Sequence, residues 1–335
     1  MSRPAIKVAQ IGAGRIGTIH GRDAAANSRL DLAYLIETRS DSAKRLARDL
    51  GRPTATLAEA LADPDLAGVI VASATDTHLD LALACLAAGK AVFCEKPLDL
   101  DLGRLRANAP AFARAAAPLY VGFNRRFDPH FQALKAKIAS GAIGTLETLQ
   151  IVNHDPAPPP PSFIPASGGL FRDFIIHDFD TARWLLDEEP VSVFAWAECL
   201  VDLAIAAAGD VDTARIILRT ASGRLCAISN SRRSGYGYDQ RAEAYGSAGM
   251  AMAANPRTST VEAWSEAGAL AAPILDGFAA RYAEAFRRQM DHFADVLAGE
   301  TAPLTGYDDA VRALALAEAA GRSVRTGAPV NLVDV

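Results

Sequence analysis

The chain has 335 residues, half of them hydrophobic and 22% charged, with a formal net charge of -5. That length suits about two domains, each able to bury its own core, and the composition excludes a disordered chain. Lys and Arg form no cluster of the kind that phosphate backbones demand, which argues against a nucleic-acid partner.

The longest apolar stretch, 191–209, is interrupted by Glu198 and Asp202 and falls short of a membrane span. The first seven residues lack the basic, apolar and small-residue regions of a signal peptide, so the expectation is a cytoplasmic protein. Cys85, Cys94, Cys199 and Cys226 are widely spaced, with no CxxC pair and no histidines at zinc-finger spacing. They read as reduced thiols. A catalytic thiol stays open as the alternative, although Cys94 lies in an apolar run that suits a small buried hydrophobe.

Along the first third, apolar runs at 7–11, 32–36, 68–71, 91–94 and 119–121 alternate with helical patterns. This is the rhythm of βαβ units, and the runs are continuously apolar, as strands covered on both faces must be. A Rossmann-type, doubly wound parallel sheet over residues 1–122 follows. The pattern then changes: a helix over 129–139, a strand over 146–152, a loop at the proline run 158–161, and a helix over 170–186. Four β-rich stretches come next, at 191–199, 213–218, 225–229 and 242–245, and helices over 276–298 and 308–322 close the chain. Successive strands with short connections predict a C-terminal α+β domain with a largely antiparallel sheet over 123–335.

Gly12-Ala13-Gly14-Arg15-Ile16-Gly17 matches G-x-G-x-x-G between the first apolar run and a helical pattern. The first glycine permits the tight turn, the second lets backbone approach a pyrophosphate, and the third lets helix and strand pack closely. The helix N-terminus then offers free N–H groups to the phosphates. Glu37 ends the second apolar run twenty residues beyond Gly17, where a carboxylate accepts hydrogen bonds from the adenosine ribose. NAD is therefore the expected cofactor, with Thr38 and Arg39 beside Glu37. Arg39 could instead pair with the 2'-phosphate of NADP. The plainer alternative makes Glu37 a solvated strand end.

Glu95-Lys96-Pro97 follows the run 91–94, at the carboxyl end of a parallel strand, where open α/β sheets bind ligands. Desolvation and a nearby cationic nicotinamide would disfavour the ammonium form, so Lys96 can accept a proton. On residue type alone, a surface lysine paired with Glu95 is the better bet. Asp173 and His177 lie four apart in a helical segment and emerge from one face. The pair suits proton transfer, the carboxylate fixing a tautomer and the imidazole meeting the reacting oxygen. A surface pair without function and a metal site compete with this, but no further ligands stand at a familiar spacing, so no metal is expected.

These motifs, with Gly122-Phe123-Asn124-Arg125-Arg126-Phe127-Asp128, the segment Phe171 to Asp178, and Gly235-Tyr236-Gly237-Tyr238-Asp239, resemble the Gfo/Idh/MocA oxidoreductases, and within them the bacterial inositol 2-dehydrogenases. The likeness runs over nearly the whole chain. It implies a homotetramer formed through the C-terminal sheet, catalytic positions at Lys96, Asp173 and His177, and cofactor contacts from Ala74, Thr75, His78, Glu95 and Asn124. It also implies that Arg125, the strand Asn153-His154-Asp155 and a tyrosine of the pair Tyr236/Tyr238, taken as Tyr238, face a polyol substrate.

Better-known members carry His and Asn where this chain has Asn153 and Asp155, and a hydroxyl residue where it has Phe174. An Asp in place of Asn accepts but cannot donate, which can move preference from myo-inositol to scyllo-inositol, another isomer or a pyranose. Thr75, Thr77 and His78 have a plainer role too, capping the following helix, for which Asp76 or Thr77 would serve. The expected reaction is oxidation of a ring alcohol by NAD. The rivals are a glycosidase-type enzyme without net NADH release and a nucleotide-sensing binding protein.

Overall fold

The computed structural model describes residues 4–36 and 40–335. The chain divides into two compact units, Met1–Phe127 with Glu284–Leu314, and Asp128–Ala283 with Ala315–Val335. The single cut expected after residue 122 differs from this interleaved division. The reason is packing: the helix Ala283–Leu297 returns to the first unit, where Phe286 lies edge-on to His20 and Phe293 against Phe93.

The first unit carries five parallel strands, β1 (Ile6–Ile11), β2 (Leu30–Ile36), β3 (Gly68–Val71), β4 (Ala91–Cys94) and β5 (Leu119–Val121), in the order β2-β1-β3-β4-β5. β3 and β4 are buried at every residue, which is why they read as unbroken apolar runs. Strand order reverses between β1 and β3, the switch point beside which open α/β sheets bind their ligands. The glycine loop leaves β1 there and leads into the helix Arg15–Ala26.

The second unit is built on a seven-stranded sheet. Its strands are β6 (Leu146–His154), β7 (Pro190–Glu198), β8 (Thr213–Thr220), β9 (Leu225–Ser231), β10 (Asp239–Gly246), β11 (Gly249–Ala253) and β14 (Val330–Asn331). They lie in the order β11-β10-β6-β9-β8-β7-β14, and every pair except β6/β9 is antiparallel. β8 shows why: Ala214, Ile216, Leu218 and Thr220 are buried, while Arg215, Ile217 and Arg219 are exposed, so one face packs and the other is open. A separate ribbon, β12 (Glu262–Ser265) with β13 (Gly268–Ala271), completes the strands.

The structure corrects two expected helices. The segment 170–186 opens with a π-helical turn, Leu170–Ile175, before the α-helix Ile176–Leu186. The segment 276–298 breaks at Tyr282 into Phe278–Arg281 and Ala283–Leu297. The apolar stretch 191–209 resolves into β7 and the short helix Leu203–Ala207, and no helix among the described residues is long and apolar enough to cross a membrane.

Candidate active site

The glycine loop is shaped by contacts that leave no choice of residue at two of its corners. Gly12 adopts φ +99°, and a Cβ there would be driven into the Ala72 carbonyl; a Cβ on Gly17 would strike the carbonyl of Gly12. Gly14 differs. It has ordinary φ, caps the helix Arg15–Ala26 without a side-chain hydrogen bond, and has open space where a Cβ would project. Open space beside Gly14 at a helix N-terminus without a side-chain cap is what a pyrophosphate cradle requires. Arg15 is exposed and Ile16 half-buried.

Gln10, wholly buried in β1, braces this loop by donating from Nε2 to the carbonyls of Gly12 at 2.8 Å and Gly17 at 2.7 Å. Sequence reasoning passed over it, although a glutamine inside an apolar strand is a legible signal, since a buried amide must find partners.

At the end of β4, Glu95 is buried and Lys96 half-buried. Glu95 is held in the interior by two contacts. Its Oε1 meets His20 Nε2 at 2.6 Å, and its Oε2 accepts the Lys96 backbone N–H at 3.2 Å. With a partner on each oxygen, Glu95 braces the Lys96 backbone.

His78 is likewise held in the interior. It is buried, with Nδ1 at 2.8 Å from the Pro97 carbonyl and Nε2 at 3.3 Å from that of Ser73, and burial lowers its pKa, so the neutral ring donating from Nδ1 fits. Neither Asp76 nor Thr77 caps the helix His78–Ala87: Thr77 Oγ1 turns back to the Ala74 carbonyl. Ala74 is exposed and Thr75 half-buried. Beyond β5, Asn124 and Arg125 are buried, and Asn124 Oδ1 makes no hydrogen bond among the described residues. Glu37, Thr38 and Arg39 lie outside the described residues.

In the second unit, Asp173 stands in the π-helical turn and His177 in the first turn of the α-helix that follows, both half-buried. Such wide turns recur at functional sites. The next residue, Asp178, has no exposure, and its Oδ2 accepts from Asn153 Nδ2 and Asn230 Nδ2, each at 2.8 Å. Gln240 Nε2 donates to Asn153 Oδ1, and the Tyr282 hydroxyl donates to Gln240 Oε1 at 3.1 Å. This network pins the His177 helix to β6, β9 and β10.

Asn153 acts as a structural brace, since it is fully buried and both its polar atoms are engaged. His154 points the other way in the strand alternation, toward Ser229 Oγ at 2.8 Å. Asp155 is half-buried, 3.7 Å from Arg232 Nη1, and the Arg232 guanidinium lies 5.0 Å over the Phe174 ring. Tyr238 is buried with its ring edge-on to Tyr282, whereas Tyr236 is exposed and bonds Asp239.

Burial pushes the Cys85 thiol up to about 12 and raises those of Cys94 and Cys226 as well, which removes them as nucleophiles. Among the described residues, no group of three His, Cys, Asp or Glu side chains could hold a metal ion.

Residues 6–123 match the profile described as the oxidoreductase family with an NAD-binding Rossmann fold, and residues 131–252 match the GFO/IDH/MocA C-terminal domain. The inositol 2-dehydrogenase of Rhizobium meliloti is 44% identical over 95% of this chain and 97% of its own. The chain belongs to the Gfo/Idh/MocA oxidoreductases.

Two solved members of that family extend the comparison. The myo-inositol dehydrogenase of Corynebacterium glutamicum superposes with a TM-score of 0.93 at 39% identity, covering 98% of this chain and 99% of that one. The scyllo-inositol dehydrogenase of Lactobacillus casei, solved with NAD(H) and scyllo-inositol bound, does so with a TM-score of 0.91 at 25% identity, covering 98% and 99%. As a Gfo/Idh/MocA oxidoreductase the chain uses NAD. The cleared space at Gly14, the uncapped helix N-terminus and the unsatisfied Asn124 Oδ1 all fit such a cofactor.

Proposed function

We propose that this oxidoreductase oxidises one secondary hydroxyl of a cyclitol, myo-inositol or scyllo-inositol, to the ketone. The observation that carries the reading is near full-length similarity to inositol dehydrogenases, joined to an NAD-binding unit with Lys96 at a strand's carboxyl end. NAD, when bound, supplies the hydride acceptor. The hydroxyl proton needs a separate destination, and Lys96 takes it as the carbonyl forms. His177 hydrogen-bonds the reacting oxygen, and Asp173 holds its tautomer. Arg125, Asp155 and Tyr238 are assigned to the remaining ring hydroxyls, and Ala74, Thr75 and Asn124 to the nicotinamide half of the cofactor.

The assembly we propose is a homotetramer formed through the open face of the second sheet, where Trp196, Ile217, Tyr245, Met250 and Met252 are exposed. A cytoplasmic setting suits an enzyme that draws on the NAD pool and keeps four free thiols. The test is purified protein with NAD or NADP against a panel of inositols and aldoses, read at the reduced-nicotinamide absorbance band. Turnover of an inositol in preference to every aldose is expected. Turnover of an aldose instead, or product without NADH, overturns the proposal.

A further inference from the structure

Lys96 can act on a substrate only if its backbone is held, and the structure shows what holds it. Glu95 occupies the junction of three elements. Its carboxylate lies between His20, from the helix that begins at the glycine loop, and the N–H of Lys96 at the end of β4. Gly122, just past β5, makes room for it, since a Cβ there would lie 3.1 Å from Glu95 Oε1. His20 has no exposure, and its ring stands edge-on to Phe93 at 4.9 Å and to Phe286 at 5.6 Å, so it cannot turn away from the carboxylate.

A buried carboxylate persists only when it is paired and hydrogen-bonded, and the His20 contact at 2.6 Å is the pairing. His20 Nδ1 has no partner among the described residues, and Nε2 is the ring atom that meets the carboxylate, donating its N–H to Oε1. On the far side, His78 holds the Pro97 carbonyl. The Glu95–Pro97 segment is thus held by two histidines, His20 on the Glu95 carboxylate and His78 on the Pro97 carbonyl.

We propose that His20 is a positioning residue: acting through the Glu95 carboxylate, it fixes the Lys96 backbone to the helix that starts at the cofactor loop. Cofactor cradle and proton acceptor are then carried on one rigid frame. The inference rests on the dehydrogenase reading above, which gives Lys96 its task.

The test compares His20→Leu, which keeps bulk but cannot donate, with His20→Gln, which keeps a donor. His20→Leu is expected to lose roughly 10- to 100-fold in kcat, the cost of a small misplacement of a reacting group. NADH affinity, measured by fluorescence titration, and KM should stay within about threefold, and His20→Gln should recover kcat to within about threefold.

A second measurement needs no substrate: the rate at which acetic anhydride modifies Lys96, read by peptide mass spectrometry, should change in His20→Leu and return in His20→Gln, with surface Lys137 as control. Unchanged kcat and labelling in folded His20→Leu, or equal damage in both variants with a lowered Tm, overturns the proposal. A wild-type enzyme inactive on every inositol counts against the assigned substrate alone, and the labelling contrast still decides the role of His20.

Discussion

Lys96 and Asn153 show how differently two polar side chains can serve a protein. Lys96 is half-buried just past a strand end, and the task proposed for it is to move a proton. Lys96→Ala should lower kcat by roughly 10²- to 10⁴-fold, the usual worth of a positioned acid–base group, while NADH titrates as before. An undiminished kcat defeats the assignment. Asn153 is fully buried and bonded to Asp178 and Gln240. Asn153→Ala leaves those two groups short of partners, so urea unfolding should show a loss of about 1–3 kcal/mol for each buried group abandoned. A direct ligand contact would behave otherwise, raising KM with stability intact. Residue type and spacing singled out Lys96, Asp173 and His177 as candidates. They could not separate Asn153 from Asp155, because which neighbour of a strand faces a helix and which reaches its end depends on pairing register.

Two turns illustrate what an element can be made to do. In the glycine loop, Gly12 and Gly17 are demanded by the fold, whereas Gly14 has open space beside it. Gly14→Ala should therefore fold with unchanged Tm and lose at least about tenfold in NADH affinity, which isothermal titration would read. An alanine variant that binds as tightly as wild type would place the pyrophosphate elsewhere.

The loop after β7 is closed by Asp212. Burial acts to raise its pKa, but N–H groups of Leu200, Asp202 and Val201 and the Cys199 thiol outweigh that and hold it at about 2. A depressed carboxylate contributes stability above its unfolded value near ~3.9 and loses it as pH falls through the folded one. Unfolding measured from about pH 4 down to about 2 should lose about 2 kcal/mol from this group. Asp212→Asn should be less stable at neutral pH and flatter over that window; an equally steep acid limb would refute the account. Neither device was visible along the chain, since the carboxylate's partners are backbone groups whose direction the loop itself sets.

For the molecule as a whole, the open sheet face of the second unit is the feature that asks for a partner. Trp196 is 66% exposed and packs edge-on to Phe194, with Ile217, Met250 and Met252 also on the surface. Trp196→Glu combined with Ile217→Glu should lower the mass seen by light scattering from that of a tetramer, with each subunit still folded. A wild-type protein that is monomeric at micromolar concentration would contradict the proposed assembly.

The sequence by itself determined the fold class and the cofactor loop, and it singled out the three residues proposed for proton transfer. Each is written in short-range pattern: continuous apolar runs, glycines at fixed offsets, an acid and an imidazole one helical turn apart. Tertiary structure alone decided the rest. It chose the partners of Glu95, His78 and Asn153, the brace from Gln10, the interleaving of the two units and the π-helical turn that carries Asp173. Those outcomes depend on which buried donor meets which buried acceptor across distant segments, and no local propensity encodes that choice.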